Sequence, residues 1–341
     1  NGQFDKLRHL RDKFDSIGAL TLSGDLKTLA IWRWNVSKNL NSIELWDVET
    51  ETQQGPPIEL PPEDKSFLPF ELIISPDNRH LAFLGHHGKP RIVDIESRTV
   101  GHQLSIRGRA WCLKLSPDSQ FLLTCTDDPE GEAVIWHVES GEPHGKLVGH
   151  TARIAKATFS PDSKMIASTS RDNNVIIWDT ETRQPLHVLQ GHTVSTIGVA
   201  FSPDGQFLAT GAADRSVRLW ETSSGQCVET LKGYQNPVTE LQFSMDGSQL
   251  ASATNNGAIK VWDMVNRGAP RRIQAHTVTA NAVALSPNGK LAATAGGDGL
   301  VRVWNLTNGE RLHEIEGSPP DESGIQTVAF SPDGKSLAVV N

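Results

Sequence analysis

Three sets of residues have the composition of a hydrolytic triad: His150 with Ser168 and Asp172, His192 with Thr210 and Asp214, and His276 with Thr294 and Asp298. A hydroxyl, an imidazole to take its proton and a carboxylate to orient the imidazole are what acyl transfer requires. Recurrence argues against catalysis, because the same set returns along the chain, whereas a catalytic constellation is needed once. Other candidate chemistry is weaker. His86 and His87 in LGHHGKP are adjacent on a turn and point apart, with no further His, Cys or carboxylate at ligand spacing. GAADRS and GGDGLV contain glycines but neither a Walker lysine nor a following helix, so no phosphate-cradling loop is indicated. No nucleophile elbow is present. The cysteines Cys112, Cys125 and Cys227 lie far apart without a CxxC spacing, which argues against a zinc site and a disulfide framework and suggests buried thiols of a reducing compartment. The expectation is a chain that is not an enzyme and takes no metal or cofactor.

The elements that position these residues follow from repetition. Length alone, 341 residues, suggests two domains, but repeats overrule that count. Trp136, Trp178, Trp220, Trp262 and Trp304 follow one another at intervals of 42 residues, each on an apolar run such as VRLW or IKVW. Trp46 fits the pattern earlier, and Val93 in RIVDIESR stands where another Trp is expected. A turn recurs in step: SPDN at 75, SPDS at 116 and 160, SPDG at 202, SMDG at 244, SPNG at 286 and SPDG at 331. Such a period means units that cannot bury their faces alone. Within each unit, short runs rich in Val, Ile, Leu, Phe and Ala alternate with Gly, Pro, Asp and Asn turns, which predicts four strands, a to d, as in VAFS, FLAT, VRLW and CVETL. The Ser-Pro-Asp-Gly turns suit a tight antiparallel reversal.

These residues resemble the WD-repeat family: a Gly-His pair at 149 and 191, the SPDG turn, and Trp-Asp closing strand c at 46, 178 and 262. The resemblance covers essentially the whole chain and implies an all-β fold, a single β-propeller of four-stranded antiparallel blades over residues 1–341. It also implies that a His before strand a, a Ser or Thr on strand b, an Asp before strand c and the strand-c Trp form a buried polar chain. On this reading His150, Ser168, Asp172 and Trp178; His192, Thr210, Asp214 and Trp220; and His276, Thr294, Asp298 and Trp304 are structural tetrads. Tyr234 and Asn256 replace His and Asp in the blade of Trp262, and the early blades lack the His, so those blades are expected to rely more on packing. Strands a and b occur eight times but strand c only seven. Eight blades are favoured, the last combining residues 325 to 341 with a strand d from residues 3 to 10; the alternative is seven blades and the start of a second propeller.

Function is expected in loops that depart from the consensus length. These are 33 to 42, 127 to 133, 61 to 69 and 316 to 323, all expected on the face that carries the Gly-His loops. The candidate partner-binding residues there are Arg33, Trp34, Lys38, Phe67, Arg107, Arg109, Asp127 and Asp128, with Arg153 and Arg171 extending a basic rim. Aromatic residues and Arg carry much of the binding energy at protein interfaces. Trp32 and Trp111 have a plainer reading as core filling. A formal net charge of −8 disfavours nucleic acid as partner. No apolar stretch is long enough to cross a bilayer and no signal pattern opens the chain. The reading is a cytoplasmic scaffold that binds a partner protein or peptide; the resemblance of the many SPDG repeats to the bacterial or otherwise modular versions of the family implies a sensing or regulatory part of a longer chain bearing an effector domain. The alternative is a propeller enzyme with its site at the channel mouth.

Overall fold

A computed structural model describes residues 17–25, 27–35, 40–50, 52–60, 71–85, 88–101, 103–127, 132–266, 270–316, 324–325, 327–331, 334–335 and 337–340. Among the described residues there is no α-helix; the regular elements are strands. The chain forms two compact units, Asn1–Ser163 with Glu181–Arg183, and Lys164–Thr180 with Gln184–Asn341.

In the first unit, strands a to c of repeat one are Ile17–Leu22, Thr28–Asn35 and Leu40–Asp47, and the fourth position is shared by Thr52–Gln53 and Ile58–Glu59, both paired with strand c. Repeat two runs Leu72–Ile74, His80–Leu84, Pro90–Asp94 and Thr99–Val100; repeat three runs Ala110–Leu115, Phe121–Thr126, Ala133–His137 and Pro143–Leu147. The unit ends with strand a of repeat four, Ile154–Phe159. The second unit holds strands b to d of that repeat, Met165–Ser170, Val175–Asp179 and Pro185–Leu189. Repeat five follows as Thr196–Phe201, Phe207–Ala212, Val217–Glu221 and Cys227–Leu231; repeat six as Val238–Phe243, Gln249–Thr254, Ala258–Asp263 and Arg271–Gln274; repeat seven as Ala280–Leu285, Leu291–Gly296, Leu300–Asn305 and Arg311–Glu316. Thr327–Phe330 and Leu337–Val340 then pair as an antiparallel hairpin. Four antiparallel strands in sequence order, seven times over, are the blades of an all-β propeller-type fold. Residues 3 to 10, expected to complete an eighth blade, lie outside the described residues.

The a–b turn shows why Ser-Pro-Asp-Gly recurs. In SPDG at 202, Ser202 Oγ donates to Asp204 Oδ1 at 2.5 Å and accepts the Phe207 N–H at 2.9 Å, while Gly205 N–H donates to the Ser202 carbonyl at 2.8 Å. The fourth position has φ 70° in Gly205, a left-handed backbone that glycine adopts without strain. Asn78, Ser119 and Ser163 hold the same position at φ 61°, 63° and 63°. Their side chains cost strain, and for the serines a compensating bond is visible. Asp77 N–H donates to Ser119 Oγ and Asp118 N–H to Ser163 Oγ, both at 3.1 Å, each tying one repeat's turn to the next.

Strand b is buried along nearly its whole length, and throughout in Phe121–Thr126, because both faces of its sheet are covered. Apolar clusters join successive repeats: Trp32, Ile43 and Leu45 pack with Leu81, Phe83 and Val93, and Ala209, Val217 and Leu219 with Val238, Leu241 and Leu250. Trp32 is fully buried edge-on to Phe83, ring centroids 5.0 Å apart, so it is core. Strand d is the exposed edge, with Leu186, Val188, Val228 and Leu312 open to solvent. One thiol departs from expectation: Cys112 and Cys125 are buried, but Cys227 lies on that outer strand and is exposed.

The Ser119 hydroxyl gives a direct test of the turn-to-turn bond. Ser119→Ala keeps the left-handed strain and leaves the Asp77 N–H without its acceptor, and is expected to cost about 1–3 kcal/mol in urea unfolding. Ser119→Gly loses the same bond but relieves the strain, and should cost less by about 1 kcal/mol.

Candidate functional site

The triad-like sets resolve into directional chains that end on a buried indole. Trp220 Nε1–H donates to Thr210 Oγ1 at 2.8 Å, which lies 2.9 Å from His192 Nε2, and His192 Nδ1 lies 2.9 Å from Asp214 Oδ2. A carboxylate only accepts, so the proton sits on Nδ1 and Nε2 receives the threonine hydroxyl. Thr193 N–H and the Ser216 hydroxyl complete the Asp214 shell at 3.1 and 2.7 Å. Repeat seven repeats this: Trp304 to Thr294 at 3.1 Å, Thr294 to His276 at 2.9 Å, His276 to Asp298 at 2.8 Å. Arg302 Nη1 adds a bond to Asp298 Oδ2 at 2.8 Å and lies 2.8 Å from His276 Nδ1, which opposes a second proton on the ring. Thr210 and Thr294 are wholly buried, so neither hydroxyl faces a substrate. In repeat four, Trp178 Nε1–H donates to Ser168 Oγ at 2.8 Å, Asp172 Oδ1 accepts the Asn174 N–H at 2.9 Å, and His150 is buried.

Repeats without the histidine meet the same demand differently. Tyr234 takes the histidine's place with one atom: its hydroxyl accepts from Trp262 Nε1 and bonds Ser252 Oγ, each at 2.7 Å. The polar chain therefore survives in a blade expected to rely more on packing. Burial pushes the Tyr234 hydroxyl up to about 12, despite bonds to Ser252 and Trp262 that favour ionisation. Lys260 Nζ lies 4.2 Å above the Tyr234 ring and donates to the Gly233 carbonyl at 2.8 Å. Asn256 accepts from Thr254 Oγ1 at 2.7 Å. In repeat three, Trp136 Nε1–H reaches Thr124 Oγ1 at 3.0 Å. In repeat one, buried Glu44 accepts from Trp46 Nε1 at 3.1 Å and from Arg33 Nη1 at 2.9 Å. Arg33 is thus tied into its own blade.

The rim that the structure brings together lies in the first unit. Lys89 Nζ donates to the Ile106 and Gly108 carbonyls at 2.7 and 2.8 Å, bracing the loop that carries Arg107. Arg109 N–H donates to Asp127 Oδ1 at 2.8 Å and Asp127 N–H to the Arg109 carbonyl at 2.9 Å, clasping the loop before strand a to the loop after strand b. The register of strands a and b shifts between Ala110 and Cys112, so Trp111 occupies a bulge, a device that re-aims a side chain. Trp111 is half-buried; its Nε1–H donates to the Thr126 carbonyl at 3.2 Å and the Arg153 guanidinium lies 4.8 Å over its ring. The side chains of Arg107 and Arg109 are exposed. Trp111, read from sequence as possible core filling, is the residue whose placement the bulge changes. Arg171 is exposed and belongs to the second unit. Lys38, Phe67 and Asp128, with the tips of the expanded loops, lie outside the described residues, as does the side chain of Trp34 on strand Thr28–Asn35.

The buried chains set a pH dependence of stability. Burial holds His192 and His276 below the ordinary 6.5 and outweighs the aspartates' pull toward the charged form. Burial is also the largest influence on Asp214 and Asp298 and acts upward, but hydrogen bonds from Ser216 and His192 to the one, and from Arg302 and His276 to the other, leave both below 3.8. A folded histidine that resists protonation contributes in full above 6.5 and loses that contribution as pH falls toward its folded value, since the unfolded chain takes up the proton first. The aspartates contribute in full above 3.8 and lose it as pH falls through their folded values. Stability is therefore expected to decline in two steps, starting below pH 6.5 and again below 3.8, and the first step should shrink in His192→Gln/His276→Gln. Chemical denaturation across that range checks it. Tyr234→Phe leaves the Trp262 indole and Ser252 without their shared partner and is expected to cost about 1–3 kcal/mol, read as a lowered unfolding midpoint.

The comparisons agree with this geometry. The model of the WD domain, G-beta repeat (WD40), matches residues 96–129, 141–179, 183–221, 225–263 and 269–305, more than half of the chain. A WD repeat-containing protein SL1-17 of Schistosoma mansoni is 28% identical over 145 residues, which are 41% of this chain and 44% of that protein. The match thus spans less than half the length of the curated relative. With its strand-c tryptophans, serine-aspartate turns and indole-terminated polar chains, the chain belongs to the WD40 repeat family.

Proposed function

We propose that this chain is a protein-interaction scaffold that engages a partner protein or peptide through the rim of Arg107, Arg109, Trp111 and Arg153. WD40 repeats generally serve as protein-interaction scaffolds, typically without enzymatic activity of their own. The observation that carries the reading is Trp111: an amphipathic ring placed in a bulge, anchored by its N–H, stacked under a guanidinium and left partly open. A pre-positioned Trp–Arg pair supplies contact area at little further ordering cost, the property of residues that dominate binding energy. The Arg109–Asp127 clasp holds the loop beside it.

The same reading extends to a regulatory or sensing module of a larger cytoplasmic protein, working beside an effector domain. Three free cysteines are in keeping with a reducing compartment. No helix among the described residues is long and apolar enough to cross a membrane.

Affinity capture with the chain and with Trp111→Ala and Arg153→Ala tests the rim. Val228→Ser, on the exposed outer strand, serves as control. The rim variants are expected to bind the captured protein about thirtyfold more weakly or worse, equivalent to about 2 kcal/mol, with the control unchanged. Equal capture by all four proteins would sink the assignment of the rim.

A further inference from the structure

The two buried thiols of repeat three face each other. Cys112 on Ala110–Leu115 and Cys125 on Phe121–Thr126 are direct cross-strand partners, 6% and 0% exposed, and both are free. The two thiols influence one another's ionisation. Cross-strand partners hold their Cα atoms about 4.5–5.5 Å apart, inside the range of about 4.4–6.8 Å that a disulfide spans. Cys227 stands apart from them on an outer strand, its Sγ 3.4 Å from the Glu229 carbonyl.

The pair is asymmetric. The neighbouring Cys112 thiol and burial together raise the Cys125 thiol. Cys112 is the less deeply buried of the two and is therefore the one an oxidant meets first. Cys112 directly follows Trp111 of the bulge, and Cys125 directly precedes Thr126, whose carbonyl holds the Trp111 indole.

We propose that Cys112 and Cys125 form a reversible cross-strand disulfide when the protein meets a peroxide, making this blade a redox-modification site. The Cys112 thiolate attacks one peroxide oxygen, the O–O bond breaks, and a sulfenic acid forms as the other oxygen leaves as hydroxide, which takes the proton that Cys112 lost on ionising and becomes water. Cys125 then attacks the Cys112 sulfur; the S–S bond forms, the S–O bond breaks, and the hydroxyl departs with the Cys125 proton as a second water. One peroxide is reduced to two waters while two thiols are oxidised, and an external dithiol reverses the change by exchange. The inference stands independently of the partner reading.

The test is titration with hydrogen peroxide of the full chain and of Cys227→Ser, which removes the exposed thiol. The expected result in Cys227→Ser is loss of both remaining thiols, a mass decrease of two hydrogens, a linked pair of peptides containing Cys112 and Cys125, and full recovery with dithiothreitol. Cys125→Ser in the same background should show no intramolecular link. The proposal is overturned if both thiols persist at peroxide levels that oxidise Cys227 in the unsubstituted chain. It is equally overturned if they gain oxygen without linkage or link only between molecules.

Discussion

The indole N–H of a strand-c tryptophan finds an acceptor in these blades, and much of their polar architecture follows from that pairing; the buried Trp32 N–H on strand b of repeat one is left without one among the described residues. The strand-c tryptophan fills space that no smaller side chain would fill, but its nitrogen enters the core with it, and leaving a buried donor unpaired costs about 1–3 kcal/mol. Repeats five and seven answer with Thr, His and Asp in series. Repeat six answers with a tyrosine hydroxyl backed by a serine, repeat three with a threonine, and repeat one with a glutamate held by Arg33. Different side chains occupy the site because the demand is for an acceptor at one place, not for a particular residue. In the longest version the imidazole is a two-ended connector, accepting at Nε2 and donating at Nδ1, and so links the core to a carboxylate in the loop.

Cooperation between blades has two parts. Apolar clusters form between successive sheets, so each strand b is covered on both faces and reads as a nearly continuous run of small and apolar residues. Hydrogen bonds then tie the turns. Ser119 and Ser163 accept a left-handed backbone where glycine would be easier, and each receives an amide N–H from the preceding repeat. Local strain is offset there by a bond across the seam. The rim of repeat three uses the same economy: a bulge, a carboxylate clasp and a lysine brace place one tryptophan partly in the open beneath an arginine.

The recurrence of His, hydroxyl and Asp along the chain points to a structural network, and burial and partner geometry in repeats five and seven follow one plan. What could not be read was substitution by function. Tyr234 looked like the loss of a polar chain because sequence comparison matches residue types, whereas a phenol oxygen can reach the histidine's place and serve as donor and acceptor together. Trp111 was equally ambiguous. Its neighbours on strand a are nearly all apolar and do not say which way the indole faces, and the meeting of its ring with Arg153 of the next repeat is a tertiary contact.

The sequence by itself determined the fold class, the strand order, the turns and the blade unit, because a hydrophobic period of two interrupted by Ser-Pro-Asp turns leaves few other ways to bury the tryptophans. Tertiary structure alone decided which distant side chains meet: Arg153 over Trp111, Ser119 on Asp77, and Cys112 against Cys125. Those pairings depend on strand register and on the approach of neighbouring sheets. Both are set by the packing of many residues at once, and no local stretch of sequence contains them.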